Sequence, residues 1–254
     1  MALDWSLSKI IRIETGAVGI STTDLMALVR HYKIADADRA NDLVALARAA
    51  RQPSWWSKYR DSLGPRTTQF IEFEEAAYVI RGFESLVIPG LLQTEEYTHA
   101  VIGKLGDNIT RDIIEARVEA RATRQKILER ASPPLFFSIL DEAAIRRLIG
   151  EKAIVQQQIA RLISMARKPN VTIEIVPFSA GLHRGMIEPF TILEFPDAAD
   201  SDVLYLEGTR EAVISQDEAG QISLYREIFE QLRKISLGPQ GSLTYLAQLV
   251  EELA

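Results

Sequence analysis

A chain of 254 residues, 47% of them hydrophobic, is long enough to bury a sizeable core as one large domain or as a small domain beside a larger one. Its net charge of −6 is opposite in sign to the basic balance that counterion-driven nucleic-acid binding requires. There is no cysteine, which excludes disulfides and thiolate chemistry and makes a reducing cytoplasm the simplest home.

The first readable stretch is Trp5 to Ser21. Ser6 is placed to cap a short helix, Ile10 and Ile13 lie three apart, and Gly16 stands where the helix would end. A second helix is expected from Thr22 to Tyr32. A third, from Asp38 to Arg51, sets Leu43, Leu46, Ala47 and Ala50 at helical spacing. Met1 to Arg51 holds seven cations and six acids, so this end is nearly neutral. Gln52, Pro53 and Ser54 break the pattern, and Trp55 and Trp56 read as a packing anchor between two domains. Residues 1–51, a linker at 52–66 and a larger domain at 67–254 follow from these shifts.

Phe70 to Ile80, rich in acids and alanine, reads as a helix. The stretch after it ends an extended piece at Pro89 and Gly90, turns through Leu91 and Leu92, and offers Thr94 as the cap of a helix that begins with Glu95, Glu96 and Tyr97. Ile109 to Arg130 is a long charged helix. Its arginines 111, 117, 121 and 124 alternate with acids and read as a solvated face laced with i,i+4 pairs. Pro133 and Pro134 stop it. Leu135 to Leu140 is a short buried strand, and Asp141 opens a helix through Arg147. Gln156 to Ala166 is helical. Strands are expected at Val171 to Val176, Phe190 to Phe195, Val203 to Glu207 and Ala212 to Ser215. Two helices striped with apolar residues close the chain, the second after Gly238 and Pro239. A block of strands with helices around it predicts an α+β fold: a small helical piece, then a larger domain with an antiparallel or mixed sheet flanked by helices.

The segment WSLSKIIRIETG resembles the recognition helix of Cro/repressor-type (XRE) helix-turn-helix regulators. VIPGLLQTEEY, VEARATRQKIL, PPLFFSILDEAAIRR, KPNVTIEIVPFSAGLHRG and FTILEFPD resemble, in order, the motifs of a C-terminal domain of unknown function that follows the Cro-like module in actinomycete-type regulators, some of them antitoxin-like. The resemblance implies a transcription regulator whose large domain senses or assembles, with no settled ligand. In such regulators a recognition helix lies in the major groove and an earlier helix braces it. Here only Met1 to Asp4 precede it, so the DNA-reading domain is expected to be incomplete, by a start placed too late or by real loss. The family has proline where Leu7 stands and a small polar residue at Ile11. With Ile10 and Ile13 these make a helix apolar on most of its circumference, which predicts burial. Ala17 replaces a common basic residue. Ser6, Ser8, Lys9 and Arg12 are the DNA-facing candidates, too few for strong phosphate-driven affinity.

No catalytic motif stands out: FSAG is not the G-x-S-x-G elbow, the three histidines are far apart, and the acids show no metal-ligand spacing. Neither a metal nor a cofactor is expected, and no apolar run approaches bilayer length. Polar and aromatic residues at strand edges and motif ends make a candidate ligand pocket of Glu74, Gln93, Tyr97, Phe136, Arg146, Phe190 and Tyr205. The strands LFFSIL, FTILEF and VLYLE are its expected walls.

Two classes of function follow. The first is a regulator-like protein with weak or lost DNA binding and a large domain for a small molecule or small protein, masking of a partner in the antitoxin manner included. The second is a regulator scaffold recruited as a cofactor-free isomerase or cyclase on an apolar metabolite. Glu207, His183 and Glu142 are its acid–base candidates, although Glu142 and Arg146 are more economically an intrahelical ion pair. A homodimer is expected, since regulators of this kind read two-fold sites and an apolar first helix needs cover.

Overall fold

The computed structural model describes residues 3, 5–14, 18–49, 54–106, 109–197, 201–206, 213–215 and 219–253. The chain divides into two compact units, Met1–Ser57 and Lys58–Ala254. Together they are α+β, with helices before and around a mixed sheet.

The first unit holds α1 (Leu7–Glu14), α2 (Thr22–His31) and α3 (Ala37–Ala49), the last two packed on each other. Ser6 Oγ accepts the Lys9 N–H at 3.3 Å and Ser21 Oγ accepts the Asp24 N–H at 2.9 Å, so both helices start on serine caps. The apolar first helix is not buried: Leu7 is 71% and Ile11 49% exposed. Its cover is limited because eight residues offer only two turns, of which Ile10 and Ile13 take the sheltered side. The Trp55 and Trp56 rings pack edge to face within the turn Trp55–Tyr59, 5.5 Å apart.

The second unit begins with the short α4 (Arg60–Leu63). Gly64, at φ +78°, then lets the chain swing into α5 (Pro65–Ala76), whose first residue is a proline in its favoured place. That helix stops earlier than its composition suggests. Ala77 is extended, and Val79–Glu84 is a strand, β1, where the sequence reading continued the helix through Ile80. Pairing on both edges decides the matter: β1 runs parallel to β2 (Leu135–Asp141) and antiparallel to β4 (Phe190–Glu194). With β3 (Val171–Val176), β5 (Val203–Leu206) and β6 (Val213–Ser215), the six described strands lie in the order β3-β2-β1-β4-β5-β6.

Between β1 and β2 come α6 (Glu95–Leu105) and α7 (Arg111–Arg124). After β2 come α8 (Glu142–Arg146) and α9 (Lys152–Met165), and after β6 come α10 (Ala219–Ile235) and α11 (Gly238–Glu252). One face of the sheet packs Ile80, Phe136, Leu140, Ile173 and Leu193 against Phe70, Tyr97, Val101, Ile159, Leu162 and Leu246 from α5, α6, α9 and α11. The other packs Phe83, Ile139, Phe190, Ile192 and Leu204 against Ile222, Ile228, Phe229 and Leu232 of α10. Alternation along each strand sends successive residues to opposite layers. No helix of the described residues is long and apolar enough to cross a membrane.

Candidate functional site

On the face covered by α5, α6 and α7 the packing is incomplete, and a cavity of about 660 Å³ remains. Its floor is a row of residues in register across four strands. Ser138 of β2 pairs with Gly82 of β1, Gly82 with Thr191 of β4, and Thr191 with Tyr205 of β5, and all four border the cavity. The row explains the space: at its centre stand a glycine, a serine and a threonine where large apolar residues would otherwise meet the helices. A Cβ on Gly82 would find only ordinary contacts, 3.7 Å to Thr191 Oγ1 and 3.8 Å to the Phe190 carbonyl. One pleat further along, Ile80 and Phe136 give the floor an apolar end.

The helices supply charge. Arg117, Arg121 and Arg124 are spaced i, i+4 and i+7 on α7 and border the cavity together, while Val118 and Ala120 fix the helix by burial. The solvated face expected for this helix therefore gives way to an inward stripe of guanidinium groups. Arg124 grips both oxygens of Glu74, which is 2% exposed: its Nε donates to Oε2 and its Nη2 to Oε1, the latter at 2.7 Å. The same guanidinium lies 5.1 Å from the centre of the Phe70 ring, which in turn packs on Tyr205 with centroids 4.1 Å apart. Arg121 Nη1 donates to Gln93 Oε1 at 2.7 Å, and Arg117 Nε to the Ser62 carbonyl at 2.8 Å.

The rim is the loop before α6. Gln93 Nε2 donates to the Ile88 carbonyl at 2.6 Å, and Gln125 Nε2 donates to the carbonyls of Gly90 and Gln93. Gln158 accepts the Thr94 N–H and donates to the Leu92 carbonyl. Three glutamine side chains thus satisfy the buried backbone of a non-regular segment and hold it open beside the cavity. Thr94 Oγ1 accepts the Tyr97 N–H at 3.2 Å, making the helix cap that the sequence indicates.

Of the residues expected to form a pocket, Glu74, Gln93, Phe136 and Tyr205 border this cavity. Tyr97 stands behind its rim, where its hydroxyl accepts the Ile88 N–H at 3.2 Å and burial pushes its pKa up. Phe190 points to the opposite sheet face and borders a smaller cavity of about 150 Å³ with Tyr225 and Ile228. Arg146 lies elsewhere, donating to Glu142 Oε1 at 2.6 Å and to Glu252 Oε2 at 3.0 Å.

Glu207 lies outside the described residues, as does Ala17. Glu142 accepts from Arg146, from the Tyr245 hydroxyl at 2.7 Å and from the Phe178 N–H at 2.7 Å. Burial works to raise its pKa, but these three donors outweigh it and hold the carboxyl below its ordinary value, so it is an anchored anion rather than an acid. The same arrangement pushes Tyr245 up to about 12, through burial and then the nearby carboxylate. His183 is tied by Nε2 to Asp141 Oδ2 at 3.1 Å, with its ring edge toward Phe83, and borders neither cavity. Within the cavity, Glu74 has both oxygens engaged by the Arg124 guanidinium.

In the first unit, Lys9 Nζ is 2.8 Å from Asp24 Oδ1 and 4.2 Å from the centre of the Trp5 ring, while Arg12 Nε donates to the Ser8 carbonyl at 3.3 Å. Ser6 and Ser8 join hydroxyls at 3.3 Å. All four candidate DNA-facing side chains thus have partners within α1 or α2 or beside them.

A mixed six-stranded sheet carrying helices on both faces, with a cavity bordered by arginines and glutamates under α5 to α7, makes the large unit an α+β domain. Residues 67–248 match DUF5753, a domain of unknown function, and the chain belongs to that family. Neither a curated protein nor a solved structure matches it.

Proposed function

We propose that this is a regulator-like protein of the Cro/repressor (XRE) type in which the large unit binds a small, mainly apolar molecule and the first unit has little affinity for DNA. The observation that carries the reading is the 660 Å³ cavity. Its size falls within the roughly 300–1,000 Å³ of small-molecule sites, and it combines apolar walls with a few fixed polar groups. Core packing normally leaves no such space, so the row of small residues across four strands is a feature that a purely structural domain would not need.

The test is a titration of the full chain with N-phenyl-1-naphthylamine, a neutral apolar dye that brightens away from water. One saturable site per chain is expected. No binding, or binding that a side chain placed in the cavity leaves unchanged, would overturn the reading.

For the first unit, the engagement of Lys9 by Asp24 supports weak DNA binding, because a paired ammonium releases fewer counterions on meeting phosphate. Fluorescence anisotropy with short duplexes at moderate salt should show no sequence-dependent binding. A dissociation constant below about 1 µM that varied with sequence would place the protein among specific DNA binders instead.

A further inference from the structure

The second unit opens on a short segment that reaches the edge of the large cavity. Arg60–Leu63, α4, is four residues long and ends at Gly64, whose N–H donates to the Arg60 carbonyl at 3.0 Å. A single turn of helix fixes several dihedrals for one such bond, so it keeps its shape only where neighbours hold it. Two holds come from α7. Arg117 Nε donates to the Ser62 carbonyl at 2.8 Å, one of the carbonyls that a helix end leaves without an internal partner, and Glu119 Oε1 lies 2.8 Å from Lys58 Nζ just ahead of the turn. The Lys58–Glu119 pair is exposed and screened by water, so the half-buried Arg117 is the firmer of the two.

The third hold is unfinished. Leu63 and Thr67 both border the cavity, one on each side of Gly64, and both are only half-buried. An apolar side chain facing unfilled space lacks the contacts that a packed core would give it. Tyr59, 3% exposed, and Thr68, 4% exposed, fix the chain before and after. Between those two points α4 rests on α5 and α7. Gly64, at φ +78° with nothing within 4 Å of where a Cβ would stand, is the place for the segment to bend.

Building on the reading of this cavity as a small-molecule site, we propose that residues 60–67 form a strap that a bound ligand tightens. An apolar ligand gives Leu63 the surface it lacks, which holds α4 against α7 and makes opening at Gly64 rarer. The strap begins two residues after Lys58, the first residue of the unit, so occupancy of the cavity is felt where the chain enters the domain.

The experiment is hydrogen–deuterium exchange of the full chain, read by mass spectrometry, with and without saturating N-phenyl-1-naphthylamine. Exchange at residues 60–64 should slow at least about fivefold, while the loop at 178–187, which does not border this cavity, should stay within about twofold. In Leu63→Ala the dye should bind about threefold more weakly, and at saturation the slowing should shrink to within about twofold. Suppose the dye binds in a way that a side chain placed in the cavity abolishes. If exchange at 60–64 then does not slow, or slows as much in Leu63→Ala, the strap is overturned and the small-molecule site stands. Absence of dye binding, or slowing at 178–187 in place of 60–64, strikes the earlier reading and the strap with it. Should Leu63→Ala not fold, the comparison on the unmodified chain still decides the matter.

Discussion

Gly82→Phe is expected to lose at least about tenfold in affinity for N-phenyl-1-naphthylamine while the protein stays folded, at a stability unchanged or up to ~1 kcal/mol higher. Most substitutions that abolish binding do so with some loss of fold, and this one separates the two. Glycine weakens a strand because it loses the most backbone freedom and has nothing to pack, whereas aromatic residues favour strands. The position is held on both edges by β2 and β4, so its backbone does not depend on the side chain. The added Cβ meets nothing closer than 3.7 Å, and the ring beyond it projects into the space above the Ser138 and Thr191 hydroxyls. Gly82→Ala is the control and should change neither property. Melting curves and dye titrations on the three proteins give the answer. If Gly82→Phe bound the dye as the unmodified chain does, the dye would be sitting elsewhere, and exposed Leu182 and Ile187 are the obvious place.

Glu74→Gln should cost roughly 3–5 kcal/mol, because removing one partner of a buried ion pair leaves the other charge uncompensated. Glu74 is 2% exposed and Arg124 is largely covered, so water cannot replace what the carboxylate supplied. The amide keeps the shape and one acceptor but not the charge, and Arg124 would be left against Phe70 without its counter-charge. For a domain of this size the melting temperature should fall on the order of 10 °C. Replacing both residues by methionine should recover much of the loss, since apolar pairs of similar volume often match buried ion pairs in stability. A fall of less than about 1 kcal/mol for Glu74→Gln would mean that solvent in the cavity screens the pair as it does on a surface.

Much of the fold was legible in the sequence. The strands VTIEIV and FTILEF alternate, breakers bound LFFSIL, and Thr94 and Asp141 cap helices as their positions indicate. What escaped was β1, the strand that carries the centre of the site. Its six residues include an arginine, a glycine and a glutamate and follow directly on a helix-forming run, so local preference gave no sign of it. Only pairing with two strands far along the chain makes it a strand. The cavity was legible by halves. Glu74, Gln93, Phe136 and Tyr205 could be picked out as polar or aromatic residues beside motifs. Ser138 and Thr191 could have been noticed as the polar interruptions of LFFSIL and FTILEF, on the faces that alternation assigns to one layer. The arginines at 117, 121 and 124 form a stripe as regular as any apolar one, but nothing in the spacing says whether a charged stripe faces water or a cavity.

The position of β1 also sets the order in which the large unit can be built. Its Val79 is bound on one side to the strand that begins at Leu135 and on the other to Glu194. A nascent chain therefore makes its central strand first and holds both edges of it bare until much later segments have left the ribosome. Long-range pairings of this kind slow folding, because the entropy of closing large loops is spent before any contact returns it. The time during which VIRGFE lies open is also the time in which another chain can pair with it. Synthesis rate and chaperone access, rather than the stability of the finished sheet, then govern how much of the protein reaches its native form.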